Sequence, residues 1–330
     1  MACAGGGERA ALGFLLFFAR PEARIRAMRT DLDHLPEAKR RELAHVVEVI
    51  REGFAYAIAR RTMPDLRGGK LLKIVLFGSY ARGDWVEDPV GRYFSDYDLL
   101  VIVDREALTD VPEFWAKTEE RLLAELAAGQ VLRTPVSLIY HSIDDVNDKL
   151  RLGRYFFIDI VRDGVVLFEE PGFALAEAQP LSAAEALRET REYYEEWFES
   201  AERRLELAQG ALAKGYLKEA AFDFHQATER FYHCLFLVRT LYSPKTHNLN
   251  QLRQLAEDVE PRLKGVWPRE TKFERRCYEL LREAYVKARY SRHYRITGEQ
   301  LEWLSGRVEI LQRTVRELCE ERILTLAEAA

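Results

Sequence analysis

Asp96 and Asp98 stand two residues apart at the head of the apolar run Leu99-Leu-Val-Ile-Val103. On a strand that spacing turns both carboxylates to one face, where like charges repel until a cation offsets them. Upstream, Ile74-Val-Leu-Phe-Gly-Ser-Tyr-Ala-Arg-Gly83 reads as a buried strand that Gly78-Ser79 breaks into a short helix. Glycine at such a turn lets the backbone come close to a ligand. The amide groups that open the following helix suit phosphate oxygens, and Ser79 adds a hydroxyl beside them. Two hard oxygen ligands next to a phosphate cradle form the arrangement that a Mg²⁺–nucleotide complex asks for.

The pattern Gly-Ser-x-x-Arg-Gly, a loop, then Ser-Asp-x-Asp-Leu-x-Val is filled here by Gly78, Ser79, Arg82, Gly83, Ser95, Asp96, Asp98, Leu99 and Val101. It resembles the nucleotidyltransferase superfamily of the DNA polymerase β type, most closely its minimal members. The resemblance implies Asp96 and Asp98 as catalytic acids and Mg²⁺ ligands. It also implies a nucleoside triphosphate, ATP by expectation, bound by Gly78, Ser79, Arg82 and Ser95. In that superfamily a third carboxylate on a later strand usually helps to bind metal and activates the attacking hydroxyl. The candidate strand here, Pro135-Val-Ser-Leu-Ile-Tyr140, has none. Ser137 stands in the expected place, with Asp144, Asp145 and Asp159 as acids that loop or helix could supply instead. Loss of that acid leaves a site able to hold a metal-bound triphosphate but without its general base.

The elements that position these residues follow from the surrounding pattern. Leu35 to Arg61 opens with Pro36 and carries Leu43, Val46, Val47, Ile50, Phe54 and Ile58 at helical spacing, which predicts a helix packed on the sheet. Pro64 to Lys70 is a Gly-Gly loop, and Glu87 to Phe94, with Pro89 and Gly91, predicts a longer loop able to sit over the phosphates. A helix over Val111 to Ala128, the Val136 strand, a helix over Phe156 to Arg162 and the strand Val165 to Phe168 complete an α+β domain with a mixed sheet, residues 28–170. Residues 171–181, with Pro171 and Gly172, read as a linker.

From Ser182, a residue able to cap, the chain turns to helices: Ala183 to Ala213, Tyr216 to Leu241, His247 to Val259, Glu270 to Arg289 and Gly298 to Leu324. Leu217, Ala221, Phe224, Thr228, Phe231, Leu235 and Val238 step along the second of them as a bundle core, and His225 and His233 lie near one face of it. The segments Ala221-Phe-Asp-Phe-His-Gln-Ala-Thr-Glu-Arg-Phe-Tyr232, Thr246-His-Asn-Leu-Asn-Gln-Leu252 and Tyr285-Val-Lys-Ala-Arg-Tyr290 together resemble a HEPN domain, an all-α helical bundle covering 182–324. HEPN ribonucleases carry an Arg, four to six residues, then a His that bind and cleave RNA, usually across a dimer. Arg289-Tyr-Ser-Arg-His293-Tyr294 offers a shorter version, and on a continuing helix Arg289 and His293 would share a face. The resemblance adds RNA and a homodimer through the bundle as partners, and Tyr290 or Tyr294 as an in-chain acceptor of AMP.

A length of 330 residues suits two domains, and 48% hydrophobic with 31% charged residues is ordinary for a globular chain that neither spans a membrane nor remains disordered. A net charge of −5 argues against broad nucleic-acid binding. Cys3, Cys234, Cys277 and Cys319 lack metal spacing and read as reduced thiols of a cytoplasmic protein. Ala10 to Ala19 is apolar but has no small-residue cleavage site after it, so residues 1–27 are expected to be a disordered extension ahead of Met28. The function expected is transfer of a nucleoside monophosphate from a Mg–NTP to a hydroxyl acceptor. Its rivals are a nucleotide-binding regulatory module with weakened catalysis and a HEPN ribonuclease controlled by the first domain.

Overall fold

The computed structural model describes residues 28–330 apart from 60, 62, 64, 65 and 89–92, so the expected extension over 1–27 and Cys3 lie outside the described residues. Pro36 starts α1 (Glu37–Ile58), whose Leu43, Val46, Val49, Ile50 and Phe54 are buried. β1 (Leu71–Phe77) is buried along its whole length, and Gly78, in the left-handed region at φ 72°, bends it into the short α2 (Gly78–Arg82). The expected long loop folds partly into a ribbon of β2 (Glu87–Asp88) and β3 (Tyr93–Phe94). β4 (Tyr97–Val103), α3 (Ala116–Ala128), β5 (Val136–Ser142), α4 (Ile143–Arg151), α5 (Tyr155–Asp163) and β6 (Val165–Glu169) follow. The sheet runs β5-β4-β1-β6, with β4 and β5 parallel and the other pairs antiparallel. α3 supplies the crossover that the parallel pair requires.

Alternation along the strands divides the core between the two faces of the sheet. Ile74, Leu76, Leu99 and Val101 pack with α1, whereas Leu72, Val75, Leu100 and Ile102 pack with α4, α5 and, beyond them, the helical half. That half contains α6 (Ala183–Ala213), α7 (Leu217–Thr240), α8 (Leu249–Val259), α9 (Lys272–Tyr290) and α10 (Gly298–Ala329). Ser182 and Glu185 close a capping box on α6, and Thr271 and Glu274 do the same for α9. The predicted stripe of α7 is its core face, with Phe224, Phe231, Leu235 and Val238 fully buried.

The two halves share one core. Phe156 stacks on Tyr242 at 4.6 Å between ring centroids, His141 Nε2 lies 2.8 Å from the Tyr242 hydroxyl, and Arg154 pairs with Glu189. The linker is pinned along its path: the Ala176 amide donates to Asn147 Oδ1 at 2.6 Å and the Gln179 amide to the Leu150 carbonyl at 3.0 Å. Among the described residues, no helix is long and apolar enough to cross a membrane.

Candidate functional site

Asp96 and Asp98 continue the alternation of Leu100 and Ile102, so both carboxylates face the helical half. In the β1–β4 register Phe77 pairs with Asp98, which sets Gly78 against the acids. A Cβ at Gly78 would meet Asp98 Oδ2 at 2.5 Å and Asp258 Oδ2 at 3.0 Å, so a side chain here would displace both acids and strain the positive φ. Ser79, Asp96 and Asp98 are 4, 7 and 3% exposed. Ser79 Oγ, Asp96 Oδ1 and Asp98 Oδ1 are buried without any hydrogen-bond partner.

Asp258 is the residue that sequence reasoning missed. It lies near the end of α8 in the helical half, and its Oδ2 converges with Asp98 Oδ2 on the space that a Cβ at Gly78 would fill. Gln254, one helical turn earlier, lies close enough to Asp96 to favour its charged form. Burial first, and then the charge of Asp258, push the Asp96 carboxyl up to about 7. Burial, Asp258 and Asp96 push Asp98 well above the usual carboxylate range. Asp258 is also raised by burial, against the pull of the Arg82 guanidinium. The guanidiniums of Arg82 and Arg269 and the ammonium of Lys264 pull these acids the other way, and burial outweighs them.

The acids considered from sequence are engaged elsewhere. Asp145 Oδ2 lies 2.7 Å from His141 Nδ1, Asp159 pairs with Arg162 at 2.7 Å, and Asp144 is exposed. Ser137 does stand beside Asp98, as its partner in the parallel β4–β5 register. The carboxyl that comes nearest Asp98 at the Gly78 turn thus belongs to a helix of the other half. Of the remaining predicted residues, Arg82 pairs with Asp84 at 3.3 Å at the rim, and the Ser95 hydroxyl accepts the Val86 amide at 3.0 Å, which ties down the end of the loop.

The second predicted site does not form as expected. α9 stops at Tyr290, Ser291 is extended, and Arg289 and His293 share no helix face. Arg289 Nε donates to the Tyr285 carbonyl at 2.7 Å, and its guanidinium lies over the rings of Tyr285 and Phe222. His293 is exposed with Arg292 Nε 3.2 Å from its Nε2. The hydroxyl of Tyr294 is buried and donates to the Leu280 carbonyl at 2.9 Å, whereas Tyr290 is 76% exposed. Deeper in the bundle, Glu229 has His225, His233 and His247 nitrogens at 3.4, 3.7 and 2.9 Å. Burial alone would raise its carboxyl; the three imidazoles outweigh that and hold it far below the usual range.

Among the described residues, no three His, Cys, Asp or Glu are arranged to hold a metal ion. Mg²⁺ needs no such cage, because it binds through one or two carboxylates and completes its shell with phosphate and water oxygens. The unpartnered oxygens of Asp96 and Asp98 beside Ser79 fit that demand. The profile of a nucleotidyltransferase domain matches residues 59–151, and that of a HEPN domain matches residues 194–318. No curated protein matches the chain. Among solved structures, a nucleotidyltransferase-like protein from Exiguobacterium sibiricum 255-15 aligns over 86% of this chain and 77% of that one, at 14% identity and a TM-score of 0.22. The motif around Gly78, Asp96 and Asp98 falls inside the first match and α7 to α9 inside the second, and the chain joins a nucleotidyltransferase domain to a HEPN domain.

Proposed function

We propose that the chain transfers a nucleoside monophosphate from a magnesium-bound nucleoside triphosphate, ATP by preference, to a hydroxyl acceptor. The observation that carries this reading is the meeting of three bare buried oxygens, on Ser79, Asp96 and Asp98, beside a glycine where a side chain would crowd Asp98 and strain the turn. Leaving such groups unsatisfied costs about 1–3 kcal/mol each, so a ligand that satisfies them is bound in part by relieving that cost. Asp96 and Asp98 would hold the divalent cation, which when bound offsets phosphate charge and polarises the phosphorus under attack. The Ser79 hydroxyl donates to a phosphate oxygen, and Gly78 leaves room for the chain of phosphates.

Full-length protein incubated with α-labelled ATP and Mg²⁺ tests this. Label is expected to leave ATP as AMP or as a nucleotidylated product, and Asp98→Asn is expected to slow this at least about 100-fold. Label that stays in ATP while ATP binds counts against transfer and for a nucleotide-binding regulatory module, a reading that Ser137 beside Asp98 favours. The ribonuclease reading has no comparable support, because Arg289 and His293 lie on either side of a helix end.

A further inference from the structure

We infer that Asp258, carried by the helical domain, is the group that receives the acceptor hydroxyl and takes its proton, so that the acceptor is seated between the two domains. This inference rests on the nucleotidyl-transfer reading above. Transfer to a hydroxyl needs a proton acceptor in addition to whatever holds the cation. Asp96 and Asp98 are committed to the cation in that reading, and Ser137, the neighbour of Asp98 in the sheet, has a neutral hydroxyl that cannot take a proton at ordinary pH. Asp145 is held by His141 and Asp159 by Arg162. Asp258 is left, and it is in reach: its Oδ2 approaches the Gly78 turn as Asp98 Oδ2 does.

Its placement belongs to a pattern along α8. Gln251, Gln254 and Asp258 follow one another at steps of three and four, which puts them on one face of the helix. All three meet the first domain: Gln251 Nε2 donates to the Leu138 carbonyl at 3.1 Å, Gln254 lies close enough to Asp96 to favour its charged form, and Asp258 Oδ2 meets the Gly78 turn beside Asp98 Oδ2. The neighbouring acid Glu257 is bound by Arg253 at 2.6 Å. α8 thus forms a wall of the nucleotide site, and an acceptor reaches the phosphates along that wall. As the acceptor oxygen bonds to the α-phosphorus, the bond from that phosphorus to its bridging oxygen breaks and pyrophosphate leaves with the electron pair. The acceptor proton passes to an Asp258 oxygen and then to solvent.

The test uses the full chain, with water as the acceptor and AMP formation from Mg–ATP as the rate. Binding is measured apart from it, by calorimetry with Mg²⁺ and α,β-methylene-ATP. Asp258→Asn is expected to keep binding within about twofold while AMP formation falls about 100-fold or more, the size of general-base effects. Ser137→Asp on that background is expected to recover part of the rate, because it returns an acid to the place beside Asp98. An undiminished rate in Asp258→Asn overturns the inference, and so does a loss of binding as large as the loss of rate. A parent protein that binds but forms no AMP sinks the transfer reading itself, and the role of Asp258 falls with it; a failure confined to the variants leaves that reading standing.

Discussion

A carboxylate ringed by three imidazoles makes a prediction at the scale of single residues. The carboxyl of Glu229 is lowered in the folded chain, so the stability it contributes is full above the unfolded value and is lost as pH falls. Glu229→Gln is expected to cost about 1–3 kcal/mol at pH 7, the range for leaving buried hydrogen-bonding groups without their partner. That cost should narrow as the pH drops below about 4, where an unfolded glutamate takes up its proton. Urea melts of both proteins at pH 7 and pH 3.5 check it, and a gap that stays constant with pH would mean that the imidazoles do not set the charge of Glu229. Gly78, Ser79, Asp96 and Asp98 were legible in the sequence because their chemistry is local: a turn between strand and helix, and two acids on one strand face. Asp258 was not. It sits in a helix beside Glu257 and Glu260, where acids are ordinarily solvated, and only the packing of the HEPN domain carries it to Gly78. Tyr294 misled for the same reason, since nothing in its neighbours announces that its hydroxyl is spent on the Leu280 carbonyl.

Among elements, the strand-to-helix turn is the one with least latitude. Gly78→Ala places a methyl 2.5 Å from Asp98 Oδ2 on a backbone at φ 72°. The conformation alone costs a residue with a side chain about 1–2 kcal/mol. The variant is expected to be less stable by at least that much and to lose Mg–ATP binding; calorimetry that finds parent-like binding would show that the turn is not the phosphate seat. Long elements were readable. Ala183–Ala213, and four further helices that differ from the expected bounds mainly at their ends, follow from apolar spacing and capping residues. Short or polar ones were not: α4, with Asp144, Asp145, Asn147, Asp148 and Lys149 in nine residues, shows little apolar signal beyond Ile143, Val146 and Leu150. The continuation of α9 past Tyr290 failed because Ser291 adopts an extended backbone, which sequence spacing does not report.

For the whole molecule, the domain boundary readable in composition is not a boundary in the core. Phe156, Tyr242 and the α7 face belong to one apolar cluster with Leu100 and Ile102, and the linker is hydrogen-bonded to the first domain along its path. Units that share a core melt together. Calorimetric heating of the full chain is therefore expected to give one transition with matching calorimetric and van't Hoff enthalpies; two resolved peaks would contradict it. The stripe of α8 adds a constraint on chain length. Each residue turns an α-helix by about 100°, so adding or deleting one residue between Ala256 and Asp258 would swing Asp258 out of phase with Gln251 and Gln254 and aim it into the bundle or into water. Related chains that keep this wall should therefore vary freely in the identity of α8 residues facing solvent, yet admit no indel along its length.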